Sequence, residues 1–244
     1  MPPRQAAARP PQSRYGQINT DIQRQARHLL TTGRRFERFD QLRQRHFWSS
    51  AYYAPDANGY ILGTRQLFIT PPGQMGQGFP VALTERETNW KSANRVPDNQ
   101  NFEITELGVT VGVTVPSIDD TPPPDSTVNP GNVTTNFLQN SVVSITYLTN
   151  SVPLGLSSDF AQAGGPFGGT FRTTDDGATT LEARVGTNGF AAPALRRRFK
   201  IPILLQHGET FSFQFDLPRS VHIGGFAIYA RLDFWATESF VEKS

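Results

Sequence analysis

The chain contains no cysteine, which excludes disulfide bonds, thiolate metal ligands and cysteine nucleophiles. The lack of a disulfide framework is compatible with synthesis in the cytoplasm. No apolar run is long enough for a transmembrane helix, and no apolar stretch typical of a secretory signal occurs near Met1. An arginine-rich, acid-poor start is also typical of organelle transit peptides, but the arginines continue to Arg45 without an obvious cleavage boundary.

Charge is scarce and unevenly distributed. Residues 1–50 carry ten arginines and three acidic residues, a net formal charge of +7, whereas the remaining residues carry 13 basic and 18 acidic side chains, a net of −5. We therefore predict two regions: a basic arm over residues 1–50 and a mildly acidic body over residues 51–244. A basic arm on such a body suggests contact with a polyanion at one end and with other proteins elsewhere.

Aromatic residues and turn formers are abundant. The chain has 18 Phe, 3 Trp and 6 Tyr together with 21 Gly and 19 Pro. Aromatic side chains favour strands, and Gly with Pro favours turns, so the composition indicates an all-β protein. A length of 244 residues fits one large β domain with a sizeable core.

The predicted arm has three parts. Residues 1–15 are too poor in apolar side chains to fold alone and predict an extended segment. Asp21–Leu30 predicts a short basic, amphipathic helix that ends at Gly33. Arg34–Trp48 places Phe at positions 36 and 39 and Leu at 42, a spacing that favours a second helix.

The body alternates in the manner of strands. Phe102–Val115 is the longest such segment, and its phase changes at Thr105–Glu106, which predicts a β-bulge. Pro116–Asn136 predicts a long polar loop. Further strands are predicted at Arg65–Thr70, Ser141–Leu148, Val152–Phe160, Phe199–Leu205, Phe211–Leu217 and Gly225–Trp235, with a hairpin from Phe171–Thr174 to Leu181–Val185. About eight strands joined by turns and long loops indicate an antiparallel eight-stranded jelly-roll sandwich behind a partly helical arm.

Three segments carry a resemblance to a known family. Arg198–Leu217 (RFKIPILLQHGETFSFQFDL) and Val221–Trp235 (VHIGGFAIYARLDFW) resemble the closing strands of jelly-roll coat proteins of tailless icosahedral bacteriophages. In those proteins a short apolar strand, a Gly-Glu-Thr turn and an alternating aromatic strand precede a long final strand. Leu83–Phe102 resembles the connection into an early strand of the same proteins. The likeness spans residues 60–240 and is one of pattern.

The resemblance implies a capsid protein that self-assembles into an icosahedral shell in the host cytoplasm and resides in the virion. It implies a homo-oligomer that also contacts other capsid proteins, with no catalytic residue, cofactor or small-molecule substrate. Coat proteins of membrane-containing phages that use two tandem jelly rolls depart from this chain, which has strands for one. The loop at 116–136 is expected on an exposed or inter-subunit surface.

The arginines of the arm are the candidate polyanion-binding residues. Arginine contacts phosphates without reading sequence, so viral nucleic acid is one expected partner. An acidic neighbouring subunit and the surface of an internal membrane are the alternatives, the latter because the helix at 21–30 is basic and amphipathic. The set is Arg4, Arg9, Arg14, Arg24, Arg27, Arg34, Arg35, Arg38, Arg43 and Arg45. Arg196–Arg198 is a second basic group, which we interpret as a charged strand edge.

The sequence gives little support for metal binding, and it leaves carbohydrate binding as an alternative. The four histidines (His28, His46, His207 and His222) include no His-x-His pair, so the sequence predicts no metal site. The pairs Asp119–Asp120 and Asp175–Asp176 lie in polar turns and lack the spacing of calcium ligands. A carbohydrate-binding β-sandwich of a receptor-binding spike or minor virion protein is the alternative function, with Trp90 and the Tyr52–Tyr53 pair as its aromatic platform.

Overall fold

The computed structural model describes residues 43–114, 128–162, 167–175, 179–187 and 193–240. Within these residues the chain forms ten strands, whereas the sequence predicted about eight. They are β1 (Arg43–Tyr53), β2 (Tyr60–Leu67), β3 (Gln100–Thr114), β4 (Val142–Tyr147), β5 (Asn150–Leu156), β6 (Phe167–Asp175), β7 (Thr179–Thr187), β8 (Arg197–Leu205), β9 (Phe211–His222) and β10 (Ala227–Phe240). Helix α1 spans Pro130–Asn140, and short 3₁₀ helices span Ser157–Phe160 and Pro193–Leu195.

The strands form two antiparallel sheets. The six-stranded sheet has the order β1-β10-β3-β7-β6, with β8 also paired to β3. The four-stranded sheet has the order β2-β9-β4-β5. Every strand pair within the sheets is antiparallel, and the predominance of strands agrees with the predicted all-β sandwich class.

The core is aromatic and draws on both sheets. Phe211, Phe213 and Phe215 alternate along β9, as predicted, and all are buried. Phe234 of β10 lies 5.9 Å from Phe213 between ring centroids, and Trp90 lies 5.1 Å from Phe211. Each buried Phe contributes roughly 1.5–3 kcal/mol relative to exposure, so this cluster joins the two sheets.

The predicted bulge in β3 is confirmed. Glu106 pairs with Trp235 and Ile104 pairs with Ala236, which leaves Thr105 as the extra residue. The hydroxyl of Thr105 donates to the carbonyl of Trp235 at 3.3 Å. The bulge explains why apolar residues on either side of it occupy different phases of the sequence yet face the same core.

The helix predicted over Arg34–Trp48 is wrong at residues 43–48, which form the first part of strand β1. Phe47 faces the core and pairs with Phe234, whereas His46 and Trp48 lie on the other side of the sheet. Pairing with β10 therefore overrides the helical spacing of the phenylalanines. The compact unit begins at Arg43, so residues 43–50 of the predicted arm belong to the sheet. The helix predicted at Asp21–Leu30 lies outside the described residues.

The loop predicted at 116–136 is wrong at residues 130–136, which form the first part of helix α1. Asn129 caps it by accepting a hydrogen bond from the Gly131 N–H at 2.7 Å, and Pro130 fits the first turn because it lacks an N–H. Phe137 is buried, with its ring centroid 5.8 Å from that of Phe215. Residues 116–127 of that loop lie outside the described residues.

Strand β9 also differs from prediction, because Pro218 does not end it. The strand continues to His222, but its register against β2 shifts between Ile61 and Gly63. Pro218 is exposed there and has no N–H to contribute to a ladder, so the strand accommodates it as an irregularity. The hairpin predicted between Phe171 and Val185 is confirmed as β6 and β7.

Candidate interaction surface on the six-stranded sheet

The outer face of the six-stranded sheet carries a group of charged and aromatic side chains. Residues at alternate positions of β1 and β10 point away from the core because their neighbours, such as Phe47, Leu232 and Phe234, are buried in it. We call the outward group the outer network, defined as His46, Trp48, Arg231, Asp233 and Trp235. Cross-strand pairing places His46 opposite Trp235 and Trp48 opposite Asp233.

Asp233 is the centre of the outer network. Only 1% of the residue is exposed. Its Oδ1 accepts hydrogen bonds from Nε2 of His46 at 2.7 Å and from Nη2 and Nε of Arg231 at 2.6 and 3.0 Å. Its Oδ2 accepts from Nε2 of Gln162 at 2.8 Å. These hydrogen bonds replace the ones that the buried carboxylate would otherwise make to water.

Gln162 reaches Asp233 across β3. Its backbone N–H donates to the carbonyl of Val109 at 3.2 Å, and its Nε2 also lies 2.7 Å from Oγ1 of Thr110. The side chain passes over Gly108, where an added Cβ would come within 2.4 Å of Oε1 of Gln162. A glycine is therefore required at position 108 for Gln162 to complete the network.

The electrostatics of Asp233 follow from these contacts. Burial by itself raises the pKa of Asp233, but the hydrogen bonds from His46 and Arg231 and the positive charge of Arg231 outweigh burial, so the pKa lies below its ordinary value. Asp233 is thus ionised at neutral pH and holds Arg231 and His46 in place.

The tryptophans stack with a histidine and with two arginines. The indole of Trp235 lies parallel to the ring of His46 at 4.5 Å, and the guanidinium of Arg196 lies 3.7 Å from the Trp235 ring centroid. The guanidinium of Arg231 lies 4.9 Å from the ring of Trp48. Each such cation–π contact contributes about 0.5–1 kcal/mol when exposed and more when desolvated.

The basic group at 196–198 joins this face through β3. Arg196 and Arg198 share the carboxylate of Glu106, at 3.5 and 2.8 Å. Both arginines therefore make ion pairs with a neighbouring strand, and Arg196 also stacks on Trp235. The sequence interpretation of a charged strand edge fits their place on β8 and at its start.

A second aromatic group lies further along the same face. The ring centroids of Tyr52 and Tyr229 are 5.0 Å apart, and that of Phe79 lies 5.6 and 5.7 Å from them. Burial, and then the proximity of Tyr229, raises the pKa of Tyr52. Tyr229 remains 38% exposed, so this end of the face has aromatic surface open to solvent.

Chemically, the outer network is a set of mutually fixed charges. His46 meets Asp233 through Nε2, whereas the histidine of a Ser-His-Asp triad meets its aspartate through Nδ1, and no hydroxyl bonds to His46 among the described residues. Within the same residues no three His, Asp or Glu side chains are grouped to hold a metal ion.

The predicted polyanion-binding residues fall in two groups. Arg43 and Arg45 lie on β1, where Arg43 stacks 5.6 Å from the ring of Phe240 and Nε of Arg45 lies 3.5 Å from Oε2 of the buried Glu238. The structure does not bring these two arginines into contact with the outer network. Eight lie outside the described residues: Arg4, Arg9, Arg14, Arg24, Arg27, Arg34, Arg35 and Arg38.

The predicted carbohydrate platform is wrong for two of its three residues. Trp90 is 2% exposed and Tyr53 is 1% exposed, because both pack into the core, so neither can stack on a sugar. Tyr52 alone of that set lies on an outer face, beside Tyr229. His207 lies in the turn after β8, where its N–H donates to Oδ1 of Asn101 at 2.8 Å.

Sequence reasoning missed the outer network. Its members alternate with core residues along two strands, and that alternation was visible in β10 but not in the misassigned β1. The pairing of His46 with Trp235 depends on the register of strands that are far apart in sequence. A polar residue such as Asp233, between Leu232 and Phe234, was the available signal.

Among the described residues no helix is long and apolar enough to cross a membrane. The chain matches no family model, no curated protein and no solved structure.

Proposed function

We propose that this chain is a single jelly-roll capsid protein that assembles with copies of itself into the shell of a virus, with its arginine-rich arm directed to a polyanion. The observation that carries the proposal is the strand order. Without the β6–β7 hairpin, eight strands remain, and the pairs β1 with β10, β2 with β9, β3 with β8, and β4 with β5 are those of one long hairpin.

Winding such a hairpin around a core divides its strands alternately between two sheets, of orders β1-β10-β3-β8 and β2-β9-β4-β5. This is the arrangement expected of a jelly roll made of two Greek keys. On this interpretation the β6–β7 hairpin is an insertion between the fifth and sixth strands of the roll. Fold alone does not determine function, so the arm and the exposed edges supply the remaining support.

The edges of the sandwich favour self-association. Ile201 and Leu204 on β8 are 57% and 53% exposed, and Val152 on β5 is 50% exposed. β5 is the last strand of the four-stranded sheet, and β8 has β3 as its partner in the described residues. Exposed apolar side chains on strand edges are a liability for a monomer and an asset for a subunit that packs beside its copies.

The charge distribution favours an arm that binds a polyanion. Residues 1–42, which precede the first strand of the sandwich in sequence, contain eight of the ten predicted arginines. Arg43, where β1 begins, has no carboxylate partner among the described residues. Binding to single-stranded nucleic acid would release counterions, with a slope in log K against log salt of about −0.7 per phosphate neutralised.

The test is assembly and polyanion binding by the full chain. We expect light scattering to detect large, uniform assemblies at some salt and pH, and filter binding to detect salt-dependent binding of single-stranded nucleic acid. Changing the eight arginines at 4, 9, 14, 24, 27, 34, 35 and 38 to glutamine should remove most of the salt slope. A control that removes four positive charges from the body, at Arg197, Arg198, Lys200 and Arg219, should leave most of it. A protein that stays monomeric throughout and binds no polyanion would contradict the proposal.

A further inference from the structure

We propose that a cleft beside strand β2 is a binding site for a carboxylate group. The cleft has a volume of about 420 Å³ and is lined by Thr64, Arg65, Gln66, Ile69, Gln77 and Gly78. It lies at the end of the four-stranded sheet, where β2 pairs with β9 on one side. The proposal does not depend on capsid assembly, because the site is formed within one copy of the chain.

Arg65 supplies a fixed positive charge. Its Nη1 donates to the carbonyl of Thr64 at 3.3 Å, its Nε lies 3.5 Å from the carbonyl of Tyr52, and its guanidinium lies 5.2 Å from the ring centroid of Tyr53. No carboxylate lies within ion-pair distance of Arg65 among the described residues. These contacts orient the guanidinium, and none of the described carboxylates pairs with it directly.

Gln77 supplies an unused donor. It is 6% exposed, and its Oε1 accepts a hydrogen bond from Oγ of Ser49 at 3.1 Å. The same Oγ accepts from the N–H of Phe68 at 3.1 Å, so the side-chain amide is held in one orientation. Its Nε2 is buried and has no partner in the described part of the chain. A buried N–H without an acceptor is costly, and a ligand oxygen would remove that cost.

The backbone that places Arg65 and Gln77 in the lining of one cleft has an unusual conformation. Gln77 has φ of +57° and Gly78 has φ of +84°. A Cβ at position 78 would lie 2.2 Å from the carbonyl of Tyr52 and 2.8 Å from Nε of Arg65, so only glycine permits this approach. Consecutive left-handed residues, one of them not glycine, are typical of segments that hold a ligand.

The ligand class follows from the donors. The lining residues include one cation and no Asp or Glu, so the site favours an anion of a single negative charge. A guanidinium fork matches the two oxygens of a carboxylate, and the Gln77 amide provides a further hydrogen bond. A phosphate dianion would retain an uncompensated charge in this cleft. The carboxylate belongs either to a small free acid or to an acidic side chain of another protein.

Crystals of the full chain soaked in bromoacetate provide the first test. The carboxylate of this probe is the proposed ligand, its bromine is located by anomalous scattering, and the chain has no cysteine for it to alkylate. We expect a bromine peak in the cleft, with the carboxylate between Arg65 and Gln77. Bromoacetamide, which is neutral, should give no peak there. Equal peaks from both probes, or no peak from bromoacetate, would overturn the proposal.

Thermal unfolding at constant ionic strength provides the second test and identifies the source. A ligand that binds the native state raises the melting temperature with its concentration. We expect a rise with acetate or with a blocked aspartate, and none with acetamide. The larger of the two rises identifies a free acid or a protein side chain as the source. An equal or larger rise with inorganic phosphate would overturn the carboxylate assignment.

Two variants control for general charge effects. Arg65→Gln should weaken carboxylate binding about tenfold or more, as expected for loss of a charge-assisted contact. Arg219→Gln makes the same charge change at an exposed position of β9 and should leave binding unchanged. If both variants bind like the wild type, or both lose binding equally, the proposal fails. Should Arg65→Gln not fold, the wild-type bromine position still decides.

Discussion

In both sheets the outward residues alternate with buried core residues, but the outward polar residues differ in their burial and in their hydrogen bonds. On the six-stranded sheet, Asp233 is buried and receives hydrogen bonds from three side chains. On the four-stranded sheet, Asp216 is partly exposed and accepts one side-chain hydrogen bond, from Oγ1 of Thr64 at 2.7 Å. Its neighbours there are short or neutral, as where Nε2 of Gln214 donates to Oγ of Ser151 at 3.2 Å.

This difference shows that a side chain on the outer face of a strand is not necessarily exposed to solvent. His46 and Arg231 bond to Asp233 and stack in turn on Trp235 and Trp48. A carboxylate on the outer face is therefore as buried as a core residue. Burial makes its hydrogen bonds strong and their loss expensive. The four-stranded face, with its hydroxyl and amide groups open to water, should tolerate substitution.

The largest difference between the faces is expected for Asp233→Ala. This variant removes a buried carboxylate and leaves Arg231 and His46 without their shared partner, so we expect a loss of about 3 kcal/mol in the free energy of unfolding. Urea denaturation measures it. Asp216→Ala is the matched control and should cost less than about 1 kcal/mol. Equal losses at the two positions would remove the distinction between the faces.

A smaller effect is expected for Trp235→Leu. The variant keeps an apolar side chain but removes the stack with His46 and the cation–π contact with Arg196, so we expect a loss of about 1–2 kcal/mol. The same denaturation assay applies. The contribution of the Trp235 ring to the shifts of the His46 protons should also disappear, which leaves the smaller contribution of Trp48 at 5.3 Å. Unchanged His46 shifts would contradict the stacked geometry.

The pH dependence of stability tests Asp233 separately. Because its pKa is lowered in the folded state, the ionised carboxylate stabilises the protein above its unfolded pKa of about 3.9. That contribution is lost as the pH falls through the lower folded pKa, with a slope of at most about 1.4 kcal/mol per pH unit for one proton. Asp233→Asn should lack this component of acid sensitivity in urea titrations from pH 6 downward. An unchanged acid profile in that variant would show that Asp233 is not the group responsible.

The smallest effect is expected for Gln214→Ala on the four-stranded sheet. It removes one exposed hydrogen bond, to Ser151, and should change the free energy of unfolding by no more than about 0.5 kcal/mol. A loss comparable to that of Trp235→Leu would mean that this face is also a cooperative network.

The sequence predicted the strands that alternate cleanly. β9 and β10 were recognised from their buried phenylalanines, and the bulge at Thr105 was recognised from the change of phase in β3. The first half of β1 was assigned to a helix because Phe47 followed phenylalanines spaced as in a helix. Helix α1 was hidden by Pro130 and Gly131, which usually mark loops but here form a helix start.

The candidate sites were harder to predict because they are made by register. His46 and Trp235 stack because β1 lies beside β10, a pairing across most of the chain. Arg65 occupies an inward position of β2, and only the conformation at Gln77 and Gly78 makes it part of a cleft. Local pattern carries no information on either arrangement, since both depend on which segments meet.

Electron cryomicroscopy of the full chain, purified under conditions where it assembles, tests the central claim most directly. We predict closed shells in which sandwiches of two antiparallel sheets lie side by side, with residues 1–42 on the inner surface. A uniformly monomeric preparation at every salt and pH, or an assembly with the arginine-rich segment on the outside, would contradict the account.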